Sequence, residues 1–229
     1  MATWQSPGTS RIRTRRMSRS PRRDKSVLLF LACVTLFFCA NAATLPRLSQ
    51  ILTQGKQGQS AVWQISAVVM IAEAVMIGVA AGSGHAADRW GRKPLFLVAF
   101  GSLAIRNAMT VVSHNQYYLI GLHAFDGLAA ATFGVLLTLI SADLARGTGR
   151  FNFLRASAQS ATALGGFTSD TLFGYIAKTL GFNASFWGLA SVVVMGGVLY
   201  QRAMPETRPT EPAHSSEQLQ SEKQRRRRA

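Results

Sequence analysis

The sequence predicts an all-α membrane protein with six transmembrane helices over residues 26–204, a basic cytoplasmic N-terminal tail (1–25) and a disordered basic cytoplasmic C-terminal tail (205–229). Three observations lead there. First, 48% of the 229 residues are hydrophobic and 15% charged, yet 25 Lys and Arg stand against 10 Asp and Glu, a net charge of +15. Second, eight basic residues precede Ser26 and seven follow Tyr200, so the middle is nearly uncharged. A soluble domain spreads charge over its surface, which argues against a soluble globular enzyme. Third, six segments meet or approach the roughly 20 apolar residues that a helix needs to cross a hydrocarbon core of about 30 Å. The basic residues flank these runs instead of forming a folded basic face, so no nucleic-acid partner is expected.

The first span is Ser26–Ala43. Its cysteines, Cys33 and Cys39, are six positions apart and fall on different faces of a helix, which implies neither a disulfide nor a metal site. A basic start, an apolar run and Ala40-Asn41-Ala42 also describe a cleavable secretory signal, but the run exceeds the usual ~7–15 residues. The second span, Ser60–Ala81, carries Glu73, and the third, Pro94–Val112, carries Arg106. The fourth, Tyr117–Ile140, holds His123 and Asp126. The fifth, Phe153–Ile176, is rich in Ser, Thr, Gly and Ala, with Asp170 near its far end. Its small residues Ser157, Ala158, Ala161, Ala163, Gly165 and Gly166 suit a helix packed on other helices. The sixth is Phe182–Tyr200; the Asn183-Ala184-Ser185 sequon at its start hugs the membrane, and no glycan is expected there.

Lys and Arg near span ends stay in the cytoplasm. With both termini inside, the cytoplasmic segments hold 21 of the 25: eight in the N-terminal tail, Arg89, Arg92 and Lys93, then Arg146, Arg150 and Arg155, and seven at the C-terminus. The outer connections hold Arg47, Lys56 and Lys178. The expected location is a multi-pass protein of the plasma (cell inner) membrane with both termini cytoplasmic. Anionic lipid head groups attract such basic tails at about 1 kcal/mol per residue, so membrane lipid is the expected partner of Arg225–Arg228.

Between the second and third spans the chain reads Gly84-His85-Ala86-Ala87-Asp88-Arg89-Trp90-Gly91-Arg92-Lys93-Pro94. This resembles the signature loop of the major facilitator superfamily, Gly-x-Leu-Ala-Asp-Arg-x-Gly-Arg-Lys/Arg, with Ala86 in place of the usual Leu. Gly84 and Gly91 permit a tight turn. Asp88 can accept from exposed N–H groups at a helix N-terminus. The resemblance implies that Arg92 pairs with an acid at the cytoplasmic end of the fourth helix, where Asp143 stands, giving an Asp88–Arg92–Asp143 latch with Arg89 and Lys93 beside it. Ala142–Asn152 looks like the fourth connection of a group of facilitator permeases, and Pro205-Glu206-Thr207-Arg208 is similar to the segment that often ends the last helix of that fold.

The resemblance implies half of a major facilitator fold, with the ending pointing to the C-terminal half. Facilitators usually have twelve spans in two six-helix repeats with solute bound between them. The chain is therefore expected to be a fragment that works with a second six-helix half, or a homodimer.

Ionisable groups inside spans are costly and usually face a polar cavity or one another. At 1.5 Å per residue, Arg106 lies roughly 9 Å from the outer end of its helix and Asp126 about 13–14 Å, close enough in depth to pair. The alternative has Arg106 snorkelling to the interface. The family arrangement would place Asn41, His123 and Asp126 on the solute path and Glu73 and Asp170 near the seam between halves. Three acids and one base leave two negative charges unbalanced, which motivates proton coupling through Asp126 or Glu73; polar packing satisfied by neighbouring groups is the other reading.

The expected function is transport of a small-molecule substrate by alternating access, against a membrane protein that binds a partner without transporting. No cofactor or metal is expected, and no nucleophile elbow, metal-ligand pair or phosphate loop points to an enzyme.

Overall fold

The computed structural model describes residues 21–53, 59–113, 115–146 and 149–204. The basic tail up to residue 20, Lys56, Gly147-Thr148, the Pro-Glu-Thr segment and the C-terminal tail lie outside the described residues.

The described residues form eight α-helices: α1 (Pro21–Asn41), α2 (Thr44–Thr53), α3 (Gln59–Trp90), α4 (Arg92–Thr110), α5 (Gln116–Leu122), α6 (Ala124–Ala145), α7 (Phe151–Leu180) and α8 (Phe182–Ala203). The six expected segments are all present as helix, but the fourth is split, and the first ends at Asn41 and is followed by a helix that was not expected, α2. The first breaks after Asn41 because Pro46 has no N–H for the Ala42 carbonyl, and its ring would collide with that carbonyl. The Ala43 N–H at this break is taken by Ser169 Oγ of α7 at 3.0 Å. The fourth breaks at His123, whose N–H bonds to Ile120 O in a tighter i−3 turn at 3.2 Å.

The second helix runs nine residues beyond the expected end at Ala81, through Gly84 to Trp90. Gly84 is therefore helical, which corrects the expected turn there: no Pro interrupts residues 82–90, and Ser83 Oγ bonds back to Val79 O at 2.8 Å. The turn falls on Gly91 alone, with φ 98° and ψ 166°, a region essentially restricted to glycine.

Among the described residues, four stretches are long and apolar enough to cross a membrane: Asp24–Leu52, Val62–Trp90, Gln116–Ala145 and Phe182–Ala203. The two remaining expected spans, α4 and α7, have the length but are more polar. Arg92, Lys93 and Arg106 lower the apolar content of α4, and Ser, Thr and Gly lower that of α7.

Helix α1 packs on α7 and α8, α3 on α6, and α4 on both α6 and α8. The buried face of α7 carries Ala158, Ala161, Gly165 and Ser169 at helical spacing. A Cβ on Gly165 would strike Thr35 O and lie 3.0 Å from Cys39 N, so only glycine permits this approach of α1. Of the expected small-residue set, Ala163 faces outward. The main core is aromatic: Phe37 stacks on Phe133 with centroids 3.8 Å apart, and Phe96 on Tyr200 at 4.0 Å. Such pairs add about 0.5–1.5 kcal/mol beyond area burial. A separate cluster at the other end joins α2, α3 and α5 through Leu48, Leu52, Val68, Leu119 and Ile120.

Candidate functional site

Helix α4 carries a buried arginine towards each end, and each organises a polar cluster. At its start, Gly91 reverses the chain so that Arg92 folds back under the end of α3. Arg92 Nη1 donates to Asp88 Oδ1 at 2.7 Å and to the Ala87 carbonyl at 2.8 Å, while Nε donates to Asp143 Oδ2 at 3.2 Å. Arg146 Nη2 donates to the other oxygen of Asp143, also at 3.2 Å. Arg92 and Asp143 are buried, at 6% and 7% side-chain exposure, whereas Asp88 is 71% exposed. The three pieces joined are the end of α3, the start of α4 and the end of α6. Arg92 lies outside the expected span that starts at Pro94. Burial works against its charge, but the bonds and charges of Asp88 and Asp143 outweigh it and push its pKa further up.

From the sequence, Asp88 can accept from N–H groups at a neighbouring helix N-terminus. It sits instead in the last turn of α3 and accepts from Arg92, four residues on. The reason is the extension of α3: Asp88 lies in a helix C-terminal turn, whose carbonyls offer no donor and whose dipole favours cations.

About 21 Å further along α4, Arg106 is 1% exposed and ion-paired with Asp126. Its Nη1 also donates to Asn41 Oδ1 at 2.8 Å; Nη2 donates to Thr44 Oγ1 at 2.8 Å and to Asn107 Oδ1 at 3.1 Å. Asn107 Nδ2 in turn donates to Ala40 O at 3.1 Å. Arg106 is thus wedged between the α1–α2 break and the α5–α6 break, holding the last residue of α1, the first of α2 and the first turn of α6. It does not reach for the interface. His123, 2% exposed, borders Arg106 and Asp126; the Leu119 carbonyl faces its ring, and no protein donor reaches the remaining nitrogen.

The family model described as Major Facilitator Superfamily matches residues 82–228, more than half of the chain. The chain belongs to the major facilitator superfamily. Two relatives described as uncharacterized MFS-type transporters come from Mycobacterium tuberculosis, strains CDC 1551 / Oshkosh and ATCC 25618 / H37Rv. Each is 37% identical over 184 residues, covering 80% of this chain and 44% of the relative. The chain therefore spans less than half the length of these facilitators. The family is one of membrane transporters and not of enzymes.

Within this facilitator chain the structure gathers the sequence-derived residues into two groups and leaves two apart. Asp88, Gly91, Arg92 and Asp143 meet at the cluster where α4 starts; Asn41, Arg106, His123 and Asp126 meet at the other. Glu73 and Asp170 lie on exposed faces of α3 and α7. Arg89 ends α3 and Lys93 follows Arg92 in α4. The backbone carbonyl of Asp170 accepts from Arg47 Nη2 at 3.0 Å, and Arg47 is buried in α2 and not in an open outer connection. Thr44, Asn107 and Ser169 escaped the sequence reading, and Arg47 and Arg146 entered it only as charges of the connections. Asn107 beside Arg106 was the one readable signal, since two polar residues in a row inside an apolar run both need partners.

Proposed function

We propose that the chain is one six-helix half of a secondary transporter that moves a small solute by alternating access. Helices α1 with α2, α3, α4, α5 with α6, α7 and α8 are its six spans, both termini are cytoplasmic, and the location is the plasma membrane. The observation that carries this reading is Arg92, which binds Asp88 and Asp143 and so ties α3, α4 and α6 at one end. Buried Coulomb contacts of this kind hold one packing arrangement, and breaking them releases another. Gly84, Arg89 and Lys93 complete the latch motif around it.

The Arg106–Asp126–Asn41 cluster borders the solute path in this reading, with His123 beside it. Asp126 and Glu73 are the groups whose protonation would couple transport to a proton gradient. Asp170 lies with Glu73 near the seam to a second half. That half is supplied by another six-helix unit or a second copy, which the 44% coverage of the relatives supports. Bilayer lipid covers the remaining apolar face.

The test is uptake into vesicles from a panel of solutes, with this chain alone and with a second half supplied. Uptake that needs this chain and falls with Arg92→Gln supports the reading. No uptake under either condition, with the chain folded, would turn the reading to a partner-binding membrane protein.

A further inference from the structure

Helices α3 and α6 run parallel. Gln64 Nε2 donates to Gln116 Oε1 at 2.9 Å, Val68 clusters with Leu119 and Ile120, Ala72 meets Gly127, and Asp88 meets Asp143 through Arg92. The register is set where a Cβ on Gly127 would collide with the Ala72 carbonyl and lie 2.9 Å from Val75 Cβ. In two parallel right-handed helices, the residue after one contact position and the residue before the other rotate about 100° towards the same side. Those residues are Glu73 and Asp126. They occupy one depth and one side of the α3–α6 pair.

Arg106, the counter-charge of Asp126, is 1% exposed, while the Asp126 side chain is 24% exposed. A solute approaching this side meets the carboxylate with the guanidinium behind it. Among the described residues Glu73 has no ion-pair partner. One cation against two carboxylates leaves one negative charge. On the face of α3 that carries Glu73, Trp63, Ser66 and Met70 precede it at helical spacing, and Trp63 and Met70 are 48% and 69% exposed. They line a recess of about 560 Å³ with Val62, Ala67 and Ile71. A carboxylate within such a stripe is not compatible with hydrocarbon, so this side faces a polar path. His123 is buried beside Asp126, with the Leu119 carbonyl facing its ring N–H and its other nitrogen left as an acceptor. An acceptor with no protein donor, placed at the same carboxylate, points to a donor from outside the chain.

We propose that Glu73 and Asp126 form a cation subsite on the α3–α6 side, taking a solute with one positive charge and an apolar body. The charge sits between the two carboxylates, the apolar body lies along Met70 and Trp63, and a bridging water donates an O–H to the unpartnered nitrogen of His123. Aromatic and thioether groups tolerate varied apolar bodies. This deepens the transport reading and rests on it.

The test is equilibrium dialysis of the purified full chain in detergent against tetraphenylphosphonium and tetraphenylborate, ions of matched size and opposite charge. The expected result is at least about tenfold tighter binding of the cation, weakened about tenfold by Glu73→Gln and abolished by Glu73→Lys. Equal or tighter binding of the borate, or cation binding indifferent to both Glu73 variants, overturns the subsite. Asp126→Asn exposes Arg106 to loss of its partner and can unfold the chain, so the surface-exposed Glu73 decides. Binding needs no gradient and no second half, which separates the two readings. Cation binding without vesicle uptake refutes transport and leaves the subsite; uptake that accepts both ions equally refutes the subsite and leaves transport.

Discussion

Arg92 Nε lies 3.2 Å from Asp143 Oδ2, joining the start of α4 to the end of α6 across 51 residues of chain. Both side chains are buried, and Arg92 reaches the exposed Asp88 with a second nitrogen. The contact is strong because the planar guanidinium presents donors in several directions at once.

Removing Arg92 leaves Asp143 buried with Arg146 alone. Arg92→Gln is expected to destabilise the chain by about 2–3 kcal/mol, below the ~3–5 kcal/mol of a fully orphaned pair because Arg146 remains. Asp143→Asn should cost more than Asp88→Asn, since exposed charges contribute about 0–1 kcal/mol. Thermal unfolding in detergent measures the three. Equal effects of the two Asp variants would show that burial does not set the strength of this cluster.

The Arg92 contribution should not vary with pH in the neutral range. Its folded pKa is raised, so the stabilisation is fully present below the unfolded value and lost only as pH rises through the still higher folded value. Both lie far into the alkaline range. The stability difference between wild type and Arg92→Gln, followed between about pH 6.5 and 9, is expected to stay flat.

The two glycines of the motif should respond in opposite ways. Gly91→Ala places a side chain at φ 98°, ψ 166° and is expected to cost about 1–3 kcal/mol. Gly84 is helical with nothing within 4 Å of an added Cβ, so Gly84→Ala should be stabilising by about 0.5–1 kcal/mol. Unfolding of the pair in parallel checks this. A loss of stability at Gly84 would restore the turn that the sequence motif alone implied.

Close helix approach should be local to single glycines. Gly165→Ala forces apart α7 and α1 and is expected to cost about 1–3 kcal/mol. An added Cβ on the next residue, Gly166, meets only Ala42 Cβ at 3.7 Å, so Gly166→Ala should be near neutral. Thermal unfolding of both variants reports whether α1 seats on α7 through this one position.

Arg106 is bonded to Asn41, Thr44, Asn107 and Asp126, so Arg106→Met orphans several buried groups and is expected to cost about 3–5 kcal/mol. Arg106→Met with Asp126→Leu removes both charges and should recover part of that loss. A double-mutant cycle measures the coupling. Additive losses would mean that the ion pair itself contributes little.

The all-helical class, helices over the six expected segments and the family were legible in the sequence. Apolar run length, basic flanks and the Gly84–Pro94 pattern are local properties that need no knowledge of distant residues. The pairing of Arg92 with Asp143 entered through the family pattern, since no spacing rule relates residues 51 positions apart.

What only the tertiary structure decided was where helices break and which polar groups meet. The break near Pro46 is readable in principle, because a missing N–H acts within one turn. The break at His123 is not, and neither is the use of Ser169 to cap Ala43 or of Thr44 and Asn107 to satisfy Arg106. Those partners are chosen by packing, in which a glycine at 127 or 165 lets two backbones close to contact and brings specific side chains level. Sequence fixes composition along one chain, whereas a buried donor is satisfied by whichever acceptor the neighbouring helix delivers at its depth.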